Sequence, residues 1–295
     1  MPSTTSFDAF IDAAWNDHGD RPQEVADRLV GSLPIIETPE QIPPFSRLVT
    51  HVFGEHLGQW ANGVSILASL RALPAFDGST SLAGAIDRGI AVLRYADGDM
   101  ASLQGLTDDN RIAALATASS VFAARTDFAR AIGAYAEALR LADTGLPTGS
   151  PAARALAVGG NNLAAALEEK AGRDSGQTAA MVTAARSALK YWRLAGTWLE
   201  EARAEYRLAC SLLQAGEPGP AAASARRCIA LCEANAADGA DQFQGRAALA
   251  RALRAVGDVA GSKASADHAL QWFDRMAPDV RPWFESERST LVNAP

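Results

Sequence analysis

The chain is poor in cysteine and in aromatic residues. Of its 295 residues, three are cysteines (Cys210, Cys228 and Cys232) and 7% are aromatic. Three cysteines are too few for a disulfide framework and are typical of a reducing compartment, so we expect a cytoplasmic protein. With 48% hydrophobic residues, many of them alanine, the composition favours close-packed helices over a β-sandwich, in which branched and aromatic side chains dominate.

Long apolar runs and basic runs are also absent. No stretch approaches the roughly 20 apolar residues that a membrane span needs. The first residues, MPSTTSFDAFIDAAWND, lack the basic start and apolar core of a signal peptide. Residues 1–110 carry 6 basic and 15 acidic side chains, a net −9, whereas residues 111–295 carry 21 and 19, a net +2. No Lys/Arg-rich run is interleaved with aromatics, which argues against a nucleic-acid partner.

Helical hairpins are the pattern that the chain does contain. The clearest one covers residues 112–142, with a tight turn at Arg125-Thr126-Asp127. Small and large apolar residues recur at helical spacing on both of its helices: Leu115, Ala118, Phe122, Ala131, Tyr135, Ala138 and Leu139. Such a hairpin cannot bury its apolar face alone, so it implies stacked neighbours.

The same pattern divides the chain into five parts. Residues 1–33 are predicted to form an N-terminal helical hairpin. The four prolines within residues 34–44 predict a non-helical linker, because proline interrupts helices. The remaining parts are degenerate helical repeats over 45–110, the main repeats over 111–276, and a capping helix with a tail over 277–295. In this last part, Trp283 and Phe284 are expected to cover the open end of the stack.

Four hairpins share an internal register, with first-helix intervals of 45, 45 and 41 residues. Their matching pairs are Ala118-Ser119, Leu163-Ala164, Leu208-Ala209 and Leu249-Ala250 on the first helices, and Ala138-Leu139, Ala188-Leu189, Cys228-Ile229 and Ala269-Leu270 on the second. On these residues the chain resembles the tetratricopeptide repeat (TPR) family, in a version with longer helices than the consensus. The resemblance implies an all-α fold, a right-handed α-solenoid of TPR-like helical hairpins with a capping C-terminal helix.

The resemblance also implies a concave groove that binds a partner peptide or helix and is lined by the first helix of each repeat. Its candidate binding residues are Asn161, Asn162, Glu168, Arg203, Tyr206, Arg207, Arg251 and Arg254. In some relatives an Asn and two basic residues, matching Asn162, Arg203 and Arg207, hold a peptide's C-terminal carboxylate. Arginine can make two charge-assisted bonds to a carboxylate, and asparagine can pair with peptide backbone. Solvated or surface-paired arginines remain the alternative.

Metal and catalytic signals are weaker. His51 and His56 are five residues apart, so on an α-helix they would diverge by roughly 140°, which favours satisfied or half-buried histidines over a metal site. Cys228 and Cys232 are four apart but lack further ligands, which favours buried thiols. The acidic loop 97–109 lacks the further oxygens of a calcium site, which favours a solvated loop. No metal or other cofactor is therefore expected, and no phosphate loop or nucleophile elbow is found.

The first functional hypothesis is a non-catalytic protein–protein interaction module. Its partner would be a protein or peptide with an acidic or C-terminal carboxylate motif, and neither a nucleic acid nor a membrane. An enzyme or small-ligand sensor on the same scaffold is one alternative; it would need titratable groups that converge in a closed pocket, for which Tyr206, Cys210 and Glu168 are candidates. A structural subunit that docks through its acidic N-terminal third is another. Whether residues 1–43 occupy the groove stays open.

Overall fold

The computed structural model describes residues 6–292, which contain fourteen α-helices. No β-strand occurs among these residues, so the prediction of an all-α chain of TPR-like helical hairpins is confirmed. The chain divides into two compact units, unit 1 (Met1–Gly159) and unit 2 (Gly160–Pro295), and the boundary lies inside the eighth helix. Within the described part of the chain, no helix is both long and apolar enough to cross a membrane.

Unit 1 is built from seven helices and the first half of an eighth, joined by short connections. The α-helices are α1 (Phe7–Asp17), α2 (Pro22–Gly31), α3 (Ile42–His51), α4 (Trp60–Ser69), α5 (Thr80–Ala96), α6 (Asp108–Ala124), α7 (Phe128–Ala142) and α8 (Pro151–Glu169). A π-helix, Val52–Leu57, continues α3 without a break. Gly58 ends it in the left-handed conformation, with a φ of 64°, which glycine adopts without steric cost.

The proline-rich segment is part of the core of unit 1. Its residues form two 3₁₀ turns, Leu33–Ile35 and Pro39–Gln41, and Ile36 and Ile42 are buried in the same core as α1 to α5. No continuous helix runs through residues 34–44, as the four prolines predict, although α3 already begins at Ile42. Prolines are tolerated in the first turn of a helix, since the N–H groups there have no intrahelical acceptor.

The hairpin of α6 and α7 has the predicted small–large packing. Thr126 closes the turn with a φ of 61°, and the Asp127 side chain caps α7 by accepting a bond from the Arg130 backbone N–H. The hydroxyl of Ser119 is buried and donates to the Ala131 carbonyl at 2.9 Å. The serine thus ties the two helices together.

Unit 2 continues the hairpins with consecutive antiparallel helices that pack on each other. They are α9 (Ser175–Ala195), α10 (Trp198–Gln214), α11 (Pro218–Ala234), α12 (Gly239–Ala255), α13 (Val259–Phe273) and α14 (Glu285–Val292). The last of these, α14, packs against α12 and α13. Phe284 lies beside Phe243, with ring centroids 5.9 Å apart, as the capping prediction requires. Trp283 is 81% exposed, so the expectation that it covers the stack is wrong.

Candidate functional site

Three of the four predicted groove arginines are already paired with carboxylates of unit 2. Arg203 donates from Nε and Nη2 to the two oxygens of Asp241, at 2.8 and 3.1 Å. Arg207 donates to Glu168, and Arg251 donates to Glu287 at 2.9 Å. The arginines therefore bind carboxylates with the chemistry expected of them, but the carboxylates belong to the chain itself. Arg254 is half-buried and makes no ion pair with any described residue.

The carboxylate of Glu287 reaches this site from the other end of unit 2. It lies on α14, and it accepts bonds from the hydroxyl of Tyr206 at 3.3 and 3.4 Å as well as from Arg251. We call Tyr206, Arg207 and Arg251 the tyrosine–arginine patch. An element 81 residues further along the chain than Tyr206 thus places a carboxylate where the sequence predicted that a partner's carboxylate would bind.

Glu168 forms the second anionic group of this site. Its carboxylate accepts bonds from Arg207 and, at 2.6 Å, from the hydroxyl of Ser211. Asn161 and Asn162 lie half-buried on the same helix, N-terminal to it. The patch and its two carboxylates are therefore charge-balanced, with two arginines against two glutamates.

Burial controls the electrostatics of the site. It raises the pKa of Glu287, an effect that Arg251 opposes, and it raises the pKa of Glu168 against the opposing charge of Arg207. It also raises the pKa of the Tyr206 hydroxyl and that of the Cys210 thiol. Arg251 contacts Cys210, with Nη2 3.5 Å from Sγ. The thiol is protonated at neutral pH, and the thiolate that a nucleophilic cysteine requires is disfavoured.

The convergence of Tyr206, Cys210 and Glu168 that the enzyme hypothesis asked for is present. What it contains is an ion-pair network around a protonated thiol. Nε atoms of Arg207 and Arg251 are buried and have no acceptor among the described residues. Each of these buried N–H groups can donate to a further carboxylate or carbonyl oxygen.

The matching positions of the first repeat do not line a binding surface. Ala116, Ser120 and Ala123 of α6 are all buried within unit 1. The helix α8 comes close to Ala116: a Cβ atom added to Gly159 would lie 2.4 Å from the Ala116 carbonyl oxygen. Candidate binding residues are therefore confined here to unit 2.

A cluster of histidines in unit 1 overturns one sequence expectation. His51 and His56 do not diverge; their Nε2 atoms are 3.1 Å apart. The reason is the π-helix Val52–Leu57, in which i→i+5 hydrogen bonds bring residues five apart onto one face. His18, directly after α1, joins them, and one ligand atom from each of the three rings lies within 4.8 Å of the others. We call these three residues the histidine cluster.

The remaining sequence candidates are structural. Cys228 and Cys232 are buried, as predicted. In the acidic loop, Asp99 accepts a bond from the Ala101 backbone N–H and so caps the 3₁₀ helix Met100–Leu103, while Asp108 and Asp109 begin α6. These aspartates stabilise helix starts, where a carboxylate interacts favourably with the free N–H groups.

Comparison with known proteins places the chain near solved helical-repeat structures. No family model and no curated protein matches the sequence. A structure of a Podosopora anserina protein described as a kinesin light chain with nearly identical TPR-like repeats has 14% identity, covers 80% of this chain and 96% of its own, and has a TM-score of 0.49. BtubC (BKLC) of P. vanneervenii has 18% identity, covers 93% and 95%, and has a TM-score of 0.47.

Three residues of these sites had no signal in the sequence. Glu287 lies in the capping helix, Asp241 lies at the start of α12, and His18 follows a helix whose partners cannot be read from its own pattern. Each is brought to its site by packing between elements far apart in the chain. They could have been found only from knowledge of which distant elements contact each other.

Proposed function

We propose that unit 2 is a protein-interaction module that binds an acidic peptide or helix on the tyrosine–arginine patch. The observation behind this proposal is the carboxylate of Glu287, held there by Tyr206 and Arg251. Glu287 occupies the patch in the way that a partner's Glu, Asp or C-terminal carboxylate would. In this reading α14 is a built-in competitor of the partner.

The contact that holds Glu287 is suited to exchange. Burial raises the pKa of this carboxyl, so the loss of hydration outweighs the attraction of Arg251. The helix that carries it has eight residues and buries one of them, Leu291. A short helix of this kind depends on tertiary packing for its stability. A partner helix that offers a carboxylate and a larger apolar face can therefore replace it.

The test is a titration of the full chain with a labelled synthetic peptide that has the sequence of residues 279–292. In wild type the peptide competes with α14 of the same chain. The variant Glu287→Lys puts a cation next to Arg251 and displaces α14, so we expect the peptide to bind roughly tenfold tighter than to wild type, since fewer sites are self-occupied. Fluorescence anisotropy measures both affinities.

Two control variants make this test specific. Glu285→Lys makes the same charge change on the same helix, but Glu285 is 51% exposed and, among the described residues, forms an ion pair with Arg288 alone. The affinity of this variant for the peptide should therefore equal that of wild type. Adding Arg251→Gln to Glu287→Lys should abolish the gain. Peptide binding that is unaffected by Arg251→Gln would contradict the proposal, provided that circular dichroism shows intact helices.

Release of α14 can also be followed in the intact protein through Cys210. This thiol is buried and contacts Arg251, the residue that holds Glu287. We expect Glu287→Lys to speed the alkylation of Cys210, measured by mass spectrometry of the peptide that contains it. Cys228 and Cys232, buried in a cluster with residues of α10 and α11, serve as the internal control and should keep their wild-type rates. Equal rates at Cys210 in both proteins would show that α14 does not cover the patch.

A further inference from the structure

We propose that the histidine cluster is a binding site for one divalent transition-metal ion, with Zn²⁺ as its representative. His18, His51 and His56 are three of the four histidines of the chain. They come from two elements, the end of α1 and the segment where α3 passes into the π-helix. Neutral imidazole nitrogen is a preferred ligand of Zn²⁺, Ni²⁺ and Cu²⁺.

The hydrogen bonds of the rings leave the right nitrogen atoms for a metal. His18 Nδ1 lies 2.6 Å from the Trp15 carbonyl oxygen, and because a carbonyl can only accept, this nitrogen carries the proton and Nε2 is free. His51 Nδ1 lies 2.9 Å from a carboxylate oxygen of Glu55 and carries its proton for the same reason. A carboxylate on the far side of a histidine is the usual support of a zinc ligand.

His56 completes the set after a change of tautomer. Its Nε2 faces Nε2 of His51 at 3.1 Å, and since the latter is an acceptor, His56 donates a hydrogen bond there when no metal is bound. Metal binding at Nε2 moves this proton to Nδ1, so the ring changes tautomer and stays neutral without releasing a proton.

The geometry is close to that of a three-histidine site. Bonds of about 2.0–2.1 Å in a tetrahedron put the ligand atoms about 3.3 Å apart. The Nε2 atoms of His51 and His56 already stand 3.1 Å apart, and one nitrogen of each ring lies within 4.8 Å of the others, so ring rotations that close a separation by about 1.5 Å suffice. Trp15 packs on both His18 and His51, with ring centroids 5.1 and 5.0 Å away, and restricts the rings to this region.

The π-helix supports the same conclusion independently. Such a segment is rare and occurs often at functional sites. Here its effect is to place His56 beside His51. The three rings are half-buried, and a zinc ion with three protein ligands takes a water molecule or another ligand in its fourth position. A bound ion would join the N-terminal hairpin to α3, so we infer a structural effect on unit 1.

Equilibrium dialysis of the full chain against ZnCl₂ tests the proposal, using protein stripped with a chelator and free of any histidine tag. We expect one Zn²⁺ per chain, and a Tm that rises with the concentration of Zn²⁺. His18→Ala and His51→Ala should each lose the ion. The matched control is His268→Ala, since His268 is exposed on α13 in unit 2, and this variant should bind like wild type.

Two further measurements keep the test decisive if an alanine variant unfolds. Glu55→Gln leaves all three ligands in place and should weaken Zn²⁺ binding by roughly 10–100-fold, because it removes the support of His51. In wild type, long-range ¹⁵N spectra should show Zn²⁺-dependent shifts at Nε2 of His18, His51 and His56, and none at His268. Binding below one ion per chain, or shifts at His268 alone, would show that the cluster is held by hydrogen bonds and ring packing only.

Discussion

Replacing Arg193 and Arg227 together by methionine should lower the free energy of unfolding by about 3–5 kcal/mol, the usual cost of leaving a buried charge without its partners. Glu205 on α10 is the reason. Its side chain is fully buried, and its Oε1 accepts bonds from Arg193 at 3.0 Å and from Arg227 at 2.7 Å. Its Oε2 has no donor among the described residues, so no other described residue would hold the carboxylate through Oε2 if both arginines were removed.

Each single variant, Arg193→Met or Arg227→Met, should lower the free energy of unfolding by less than half as much as the double variant. Each leaves one arginine on Oε1, and residues that share one partner do not contribute additively. Methionine keeps most of the apolar stem of arginine, which limits the packing change. Chemical denaturation followed by circular dichroism measures all three variants. If the losses of the two single variants add up to that of the double variant, the two arginines do not stabilise Glu205 jointly.

Two controls separate this effect from a general loss of surface charge. Arg186→Met removes an exposed pair with Glu217, in which the side chains are 57% and 44% exposed, and should change stability by less than about 0.5 kcal/mol. Adding Glu205→Gln to the double variant removes the unpaired charge and should recover much of the loss. Failure of this rescue would mean that the arginines act through packing instead.

The second large effect is expected at Gly159, where α8 crosses α6 in unit 1. A Cβ there would lie 2.4 Å from the Ala116 carbonyl oxygen, and 3.1 Å from its carbon. A backbone carbonyl cannot rotate away as a side chain can, so the two helices must separate. Gly159→Ala should therefore destabilise unit 1 by about 1–3 kcal/mol, the range for overpacking, although alanine is the better helix former.

Gly133 is the matched control for this substitution. It lies in the interior of α7, is exposed, and has nothing within 4 Å of an added Cβ. Gly133→Ala should therefore stabilise the protein by about 0.5–1 kcal/mol, because alanine loses less backbone entropy in a helix. Opposite signs for the same change at two helical glycines are the expected result of thermal or chemical denaturation. A stabilising Gly159→Ala would mean that α6 and α8 are further apart.

The tyrosine–arginine patch and the histidine cluster show different limits of sequence interpretation. For the patch, the residue types were recognised and their preference for carboxylates was predicted, but the pairing partner was not. Arg203, Arg207 and Arg251 meet Asp241, Glu168 and Glu287 of the chain itself. A repeat pattern describes contacts between neighbouring helices, and α14 lies outside this pattern.

For the histidine cluster, the error lay in the assumed helix. A divergence of roughly 140° between His51 and His56 follows from 3.6 residues per turn. The chain instead forms a π-helix at Val52–Leu57, and Gly58 ends it with a left-handed residue. The amino-acid composition of this segment does not distinguish a π-helix from an α-helix, because the packing of the surrounding elements selects one of the two. The contribution of His18 is also tertiary.

The sequence by itself determined the helices, the hairpin connections and the small–large packing between them. These properties follow from the spacing of apolar residues and from capping and turn residues such as Ser6, Asp127 and Thr126, which act over a few positions. The identity and exposure of the binding groups were decided by tertiary structure alone. Burial of Ala116, pairing of Arg251 with Glu287 and convergence of three histidines each depend on elements far apart in the chain. Ion pairs and metal coordination join side chains through space, and a local sequence pattern does not show which distant side chain lies beside a given residue.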